Sequence, residues 1–194
     1  MAGVARTRRA IVTATRKHLI EAGYHRLSLE QVAADAGITR VTIYRQFASK
    51  LGLLEAVADD LAQRAQVVSG VDAAAAVADP VIAFRAMVSE LCRFWATDPG
   101  LLRRLIGLAA VDSEAGHVVQ GREQWRYDQI AIFVGRLAAD QRLRCDVDID
   151  QAIAVIATVT GFPACDEMAT RLRVRHDQLD ELVITLLNGV VRLD

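Results

Sequence analysis

The side chains best suited to binding chemistry lie in one short stretch, residues 28–50, which reads SLEQVAADAGITRVTIYRQFASK. Arginine can bond guanine with two parallel hydrogen bonds, and threonine can bond a base edge or touch the methyl group of thymine. Tyrosine and lysine commonly hold phosphate groups. On the second of two predicted helices, the side chains that remain for solvent or for DNA are Thr39, Arg40, Thr42, Tyr44 and Arg45.

Two short amphipathic helices must position these side chains. Ser28 has the side chain of a helix N-cap, and a glutamine follows at the capping-box spacing. Gly37 stops the first helix and Thr39 caps the second, whose Ile43 and Phe47 face inward. This helix-turn-helix leaves the outer face of the second helix free to enter the major groove of DNA.

The charge distribution supports a polyanionic partner for the N-terminal part. Net charge is −1, but residues 1–50 hold nine basic and three acidic side chains, a net charge of +6. The remainder holds 14 basic and 21 acidic side chains, a net charge of −7. The basic N-terminal part is therefore predicted to meet a polyanion, with a solvated basic face as the alternative.

The stretch resembles the DNA-binding signature of TetR-family regulators. That signature has a capped helix, an Ala-rich turn ending in Gly, a short helix with a Thr-Leu/Ile-Tyr core, an aromatic residue and a Ser-Lys pair. The matching positions are Ser28, Val32-Ala33, Ala36-Gly37, Thr42-Ile43-Tyr44, Phe47 and Ser49-Lys50. The resemblance covers about residues 6–56, and beyond them it is architectural.

The resemblance implies a role for each matching position. Arg40, Val41 and Thr42 would meet bases. Phosphates would be met by Ser28, Thr39, Tyr44, Arg45 and Lys50, and a mobile basic arm would add Arg6, Arg8 and Arg9. Two positions depart from the pattern: Val41 where a small residue is frequent, and Leu51 where an acidic residue often follows.

The rest of the chain predicts further helices and no strand pair, so the fold class is all-α. Helices are expected at about 6–22, 99–108, 123–141, 149–163 and 177–191, and another begins at Pro80 and includes Trp95. A loose connection is expected at 69–78, and the stretch 112–121 is ambiguous. The resemblance implies a three-helix DNA-binding domain at 1–50 and a helical effector-binding and dimerisation domain at 51–194.

The second domain is implied to hold an unknown small-molecule effector. Its candidate lining residues are Phe84, Met87, Leu91, Trp95, Trp125, Phe133 and Phe162, with Cys165 or His117 as polar contacts. The alternative is that these residues are simply core. The last two helices carry wide apolar stripes and are expected to form a homodimer interface, with intramolecular packing as the alternative. The interface candidates are Ile153, Ile156, Leu179, Leu182, Val183, Leu186 and Val190.

Other functional classes lack support in the sequence. The four histidines are scattered without ligand spacing, so neither a metal nor another cofactor is predicted. The three cysteines form no C-x-x-C pair, which fits a reducing, cytoplasmic compartment, with a thiol redox sensor as a minor alternative. The longest uncharged apolar-rich stretch, residues 151–165, is too short to span a bilayer.

The sequence therefore predicts a transcriptional regulator that binds double-stranded operator DNA, most simply a repressor released by its effector. A second interpretation is an activator or architectural regulator without a small-molecule pocket. A third is a helical enzyme or carrier whose basic N-terminus is incidental, although no catalytic motif supports it.

Overall fold

A computed structural model describes residues 2–193 of the chain, which divide into two compact units. Unit 1 contains the described residues up to Leu61 together with Gly100–Gly121. Unit 2 contains Ala62–Pro99 together with the described residues from Arg122 onward. The regular structure of the described residues is helical, apart from one isolated bridge between Leu143 and Val191. The all-α prediction is confirmed.

Unit 1 is built from the helices that carry the motif and from two later ones. Its helices are α1 (Ala2–Ala22), α2 (Leu29–Asp35), α3 (Arg40–Phe47), the first part of α4 (Lys50–Ala65), α7 (Pro99–Ala109) from Gly100 onward, and the first part of α8 (Ser113–Ala139). Buried apolar side chains such as Ile11, Val32 and Ile43 form its core. Gly23 and Gly37 end α1 and α2 with φ of 78° and 67°, which glycine adopts without steric cost.

Unit 2 contains α5 (Val67–Ala75), α6 (Pro80–Thr97), α9 (Ile149–Val159), α10 (Phe162–Leu172) and α11 (Asp180–Leu187), with the remaining parts of α4 and α8. Asp79 caps α6 by accepting hydrogen bonds from two backbone N–H groups, and a proline takes the first helical position. Asp148 and Gln151 form a complete capping box at the start of α9. Both helix starts agree with the sequence signals.

Several elements differ from the sequence expectations. The predicted loose connection at 69–78 lies mostly in α5, because Val71 and Ala74 are buried and this tertiary burial stabilises the helix. The ambiguous stretch 112–121 belongs mostly to α8. Pro163, where the predicted helix 149–163 ends, lies instead in the first turn of α10, a helix that the sequence analysis did not predict. The last helix is shorter than predicted and follows a 3₁₀ turn at His176–Gln178.

No single described helix is long and apolar enough to cross a membrane; α9 and α10 pass that test only as a pair, and they are bent by 47° at their junction.

Candidate nucleic-acid interface

Side-chain caps fix the beginnings of α2 and α3. The Ser28 hydroxyl accepts a hydrogen bond from the backbone N–H of Gln31 at 3.4 Å. The Thr39 hydroxyl accepts one from the backbone N–H of Thr42 at 3.3 Å. At Ser28 the structure has the first bond of the predicted capping box, and the hydroxyl also donates to Glu30 at 3.2 Å. Both caps satisfy backbone donors that the first helical turn leaves free.

The inner and outer faces of α3 are distinct. Ile43 and Phe47 are buried in unit 1. The outer face presents Val41 with 75% of its surface exposed and Tyr44 with 42% exposed. Exposed positions on the same helix and its cap are Thr39, Arg40 and Arg45, and Thr42 is half-buried. An exposed row of this kind offers hydrogen-bond donors, an aliphatic group and positive charge to one surface, as a base-reading helix requires.

Arg40 is held by two neighbours. One of its Nη atoms donates to the Glu30 carboxylate on α2, and the other donates to the Tyr44 hydroxyl at 3.0 Å. The guanidinium also lies over the Tyr44 ring, 5.3 Å from its centroid. The Tyr44 hydrogen bond and the Glu30 charge raise the pKa of Arg40 and keep its charge fixed. The Glu30 contact was missed because it joins residues on different helices.

Lys50 contacts Tyr24, in the connection between α1 and α2, through both its charge and a hydrogen bond. Its ammonium donates to the Tyr24 backbone carbonyl at 2.6 Å and lies 4.3 Å from the centroid of the Tyr24 ring. Partial burial lowers the pKa of Lys50, while Asp112 acts in the opposite direction. Burial, Asp112 and Glu114 raise the pKa of Tyr24. The start of α4 is therefore tied to the connection between α1 and α2.

The predicted basic arm is helical in the structure, so the expectation of a mobile tail is wrong for the described residues. Arg6, Arg8 and Arg9 lie on α1, which already begins at Ala2. Arg8 donates to the Gln46 carbonyl at 3.2 Å and lies over the Phe47 ring at 4.4 Å. This contact satisfies a carbonyl at the end of α3, where helices leave acceptors unpaired. Arg6 and Arg9 line an open groove on α1 with Lys17.

Comparison with known proteins identifies the motif. Residues 11–57 match the family model described as bacterial regulatory proteins, tetR family. Residues 11–57 therefore carry a DNA-binding domain of the TetR family. The chain is a DNA-binding regulator, and the matched residues include the whole of α2 and α3.

Individual proteins similar to this chain are distant in sequence, and two solved structures share its fold. The nucleoid occlusion factor SlmA of Photorhabdus laumondii is 24% identical over 145 residues, which cover 72% of this chain and 69% of that protein. The structure of the fatty acid degradation regulator FadR from Bacillus halodurans has a TM-score of 0.77 at 17% identity, covering 94% of this chain and 95% of that one. The structure of NalD, the secondary repressor of the MexAB-OprM multidrug efflux pump in Pseudomonas aeruginosa, has a TM-score of 0.75 at 22% identity, covering 97% and 98%.

Most of the predicted effector residues lie in the interior of unit 2. The buried ones are Phe84, Met87, Leu91, Trp95, Phe133 and Phe162. Trp125 is only half-buried, and His117 is exposed and belongs to unit 1. Cys165 is buried and donates to the Val159 carbonyl at 3.6 Å. Its thiol also forms a hydrogen bond with Cys92, and this bond and burial raise the pKa of Cys92.

A buried polar cluster, which the sequence reading missed, lies among these apolar residues. The Arg126 guanidinium donates to the Ala157 carbonyl at 3.0 Å and to the Thr160 hydroxyl at 3.1 Å. The Trp95 indole N–H donates to the Thr160 carbonyl at 2.9 Å. His176 is 3.0 Å from the Asp166 carboxylate. Arg126 also donates to the Glu123 carboxylate, one turn earlier on α8, at 2.7 Å. The local sequence does not predict that this arginine is buried, because its acceptors on Ala157 and Thr160 are 31 and 34 residues away.

The predicted interface residues divide into two groups. Those buried against this chain's own helices are Ile153, Ile156, Leu179 and Val183. Leu182 and Leu186 on α11 are exposed, by 37% and 51%, and Val190 is half-buried. Exposed apolar side chains on neighbouring elements include Ile149, Val155 and Leu172. Among the described residues, no group of three His, Cys, Asp or Glu side chains could hold a metal ion.

Proposed function

We propose that this protein is a homodimeric repressor that reads an operator through α3 and is released from it by a small-molecule effector. The observation that carries the proposal is the outer face of α3, where Arg40, Val41 and Thr42 would meet bases. In the same proposal Ser28, Thr39, Tyr44 and Arg45 hold phosphates around them, and Lys50 does so with the ammonium donors that Tyr24 leaves unused.

A two-fold dimer would present two copies of α3 to half-sites separated by a turn of DNA or a multiple of one. The exposed apolar side chains of α9 and α11, among them Val155, Leu182 and Leu186, support such an interface, since isolated monomers rarely expose contiguous apolar surface. We assign the DNA-binding domain to residues 1–50 and the effector and dimer functions to 51–194.

The effector part of the proposal rests on the interior of unit 2. Its aromatic side chains and the buried groups of Arg126, Thr160 and His176 provide the apolar walls and few polar anchors that ligand sites use. Two proteins of similar fold, a regulator of fatty acid degradation and a repressor of an efflux pump, agree with a metabolite or drug-like effector. An effector must favour a dimer in which the two reading helices no longer fit successive grooves.

The DNA-reading role is tested by binding titrations over a range of salt concentrations. The probe is a duplex that the wild-type protein selects from a randomised pool, compared with a scrambled duplex of equal composition. Arg40→Ala is expected to weaken binding to the selected duplex by roughly 10- to 100-fold and to reduce its preference over the scrambled one. Arg171→Ala, which removes an exposed arginine from unit 2, is the matched control. An Arg40→Ala protein with wild-type preference would contradict the assignment.

A second candidate is a DNA-binding architectural protein that needs no effector. It is favoured by the name of one relative, a nucleoid occlusion factor, and by the burial of most of the predicted lining residues, which a closed core would also produce. Compounds that raise the thermal midpoint in a screen separate the candidates. For a released repressor, those compounds weaken binding to the selected duplex; for the architectural protein, binding is unchanged by every stabilising compound.

A further inference from the structure

One acidic side chain, that of Glu30 on α2, lies beside the outer face of α3. Glu30, in the first turn of α2, accepts a hydrogen bond from Arg40 and another from the Ser28 hydroxyl. Tyr44 accepts from the other end of the same guanidinium at 3.0 Å. The proposed phosphate ligands Ser28 and Tyr44 thus lie on either side of the ion pair between Glu30 and the proposed base reader Arg40.

Folding does not require this ion pair. The side chains of Arg40 and Glu30 are 52% and 63% exposed. Exposed pairs of this kind contribute little to stability. The helices α2 and α3 are held instead by buried apolar residues, including Val32 and Ile43. A role for Glu30 is therefore better sought in the bound state than in the stability of the fold.

The pair leaves Arg40 able to read a base. A guanidinium has five N–H donors, and Glu30 and Tyr44 occupy one on each Nη atom. The remaining donors still allow a bidentate contact with guanine. A long arginine without such partners can instead turn to a phosphate oxygen, which binds it on any sequence. Fixing the guanidinium plane from two sides favours the base contact over the phosphate contact.

Charge reinforces the same preference. The acidic side chains among residues 1–50 are Glu21, Glu30 and Asp35. Asp35 already pairs with Lys17 at 3.2 Å and contacts His18 at 3.1 Å. Glu30 lies beside the proposed contact residues, where its charge opposes phosphate binding. Its own backbone N–H, Ser28 and Arg40 lower the pKa of Glu30, so the carboxylate is ionised at neutral pH.

We propose that Glu30 is a specificity-determining residue, which holds the Arg40 guanidinium for a base edge and disfavours its binding to phosphate. The inference rests on the proposed reading role of Arg40. It assigns to Glu30 a positioning function that needs no contact with DNA, and it predicts that removal of this acid makes binding tighter and less selective.

The test compares Glu30→Gln with Glu21→Gln, which removes the same charge from the exposed end of α1 in the same unit. The probes are the selected and scrambled duplexes described above. Glu30→Gln is expected to bind the scrambled duplex roughly three- to tenfold more tightly, and to lose preference for the selected duplex by a similar factor. Glu21→Gln is expected to leave the preference unchanged. Equal tightening on both duplexes by Glu30→Gln would overturn the proposal, because charge alone would explain it.

Two further variants separate position from charge and the proposal from its premise. Glu30→Asp keeps the charge but shortens the side chain, so preference is expected to fall while binding keeps its wild-type salt dependence. In an Arg40→Ala background, Glu30→Gln is expected to have no effect on preference, and a persisting effect would refute a role exerted through Arg40. If Arg40→Ala alone retains wild-type preference, the proposed function fails. If that variant behaves as expected and Glu30→Gln does not, only the role of Glu30 fails.

Discussion

Ala48 follows the last residue of α3 and has a backbone conformation that side chains disfavour. Its φ is 59° and its ψ is −41°, and its N–H donates to the Tyr44 carbonyl as the C-cap of the helix. A residue with a Cβ at positive φ costs on the order of 1–3 kcal/mol, which the surrounding structure must supply. Because α3 carries the outer face and α4 begins two residues later, this strain lies where the motif turns between two functional helices.

We expect Ala48→Gly to raise the free energy of unfolding by about 1 kcal/mol, since glycine adopts positive φ without steric cost. Urea unfolding followed by circular dichroism measures the change. Ala36→Gly is the matched control, because Ala36 is the C-cap of α2 with an ordinary φ of −83°. There the same substitution is expected to destabilise by about 0.5–1 kcal/mol. Equal effects of both substitutions would show that Ala48 stores no strain.

Sequence reasoning succeeded for residues whose contacts are local. The caps Ser28 and Thr39 were predicted because a cap bonds a backbone group only three residues away. The contacts of Arg126 with Ala157 and Thr160 were not predicted, because they join positions distant in the chain. The arginine of the proposed site was identified by type and helical face, whereas its partner Glu30 depends on how α2 meets α3.

At the scale of elements, the turn between α3 and α4 is constrained by a glycine. A Cβ added at Gly52 would lie 2.2 Å from the Phe47 carbonyl oxygen, closer than real Cβ atoms approach backbone. The Gly52 N–H donates to the Ser49 hydroxyl at 2.9 Å, so Ser49 caps α4 as its sequence position suggests. The close approach of α3 and α4 at this turn therefore requires a residue without a Cβ at position 52.

Gly52→Ala is expected to destabilise the protein by about 1–3 kcal/mol, because a backbone oxygen cannot move aside as a flexible side chain could. Thermal unfolding provides the measurement. Gly107→Ala in α7 serves as the control, since a Cβ there meets nothing within 4 Å. That substitution is expected to stabilise by up to about 1 kcal/mol through helix propensity. A stabilising Gly52→Ala would contradict the close approach at this turn.

The elements that sequence reasoning missed share a physical cause. Residues 69–78 contain small side chains and no clear cap, so local signals favour a connection. In the structure, Val67, Val71 and Ala74 are buried, and this tertiary burial stabilises α5. The helix α10 was missed because a proline at position 163 was interpreted as a stop signal. Prolines fit equally well in the first turn of a helix, and only the packing of Phe162 and Cys165 distinguishes the two cases.

At the scale of the whole molecule, the proposed function depends on a second copy of the chain. The predicted apolar stripes contain buried and exposed side chains in the structure. Val183 and Leu179 pack within unit 2, whereas Leu182 and Leu186 face outward. Hydrophobic periodicity cannot separate these two groups, because a side chain that meets its own chain and one that meets a partner have the same chemistry.

Leu186→Glu is expected to convert the proposed dimer to a monomer, since it would bury an unpaired charge in an apolar interface. Light scattering after size exclusion measures the mass, and operator affinity should fall with it because both half-sites must be held together. Val111→Glu introduces the same charge at an apolar side chain of unit 1 that is 74% exposed. A Leu186→Glu protein with the mass of the wild type would place the dimer interface elsewhere.

Unit 1 is assembled from two separated segments of the chain, and this limits how hybrids with other regulators can be made. The Arg104 side chain on α7 donates to the Ile20 carbonyl on α1 at 3.2 Å, so the later segment contributes directly to the packing of the earlier one. A hybrid regulator made with a single crossover after α4 would pair the motif helices with a foreign α7. To transplant the DNA specificity intact, an engineer would have to move Gly100–Gly121 together with the N-terminal segment. In this chain, an exchange of unit 1 between proteins therefore requires two separate segments of sequence.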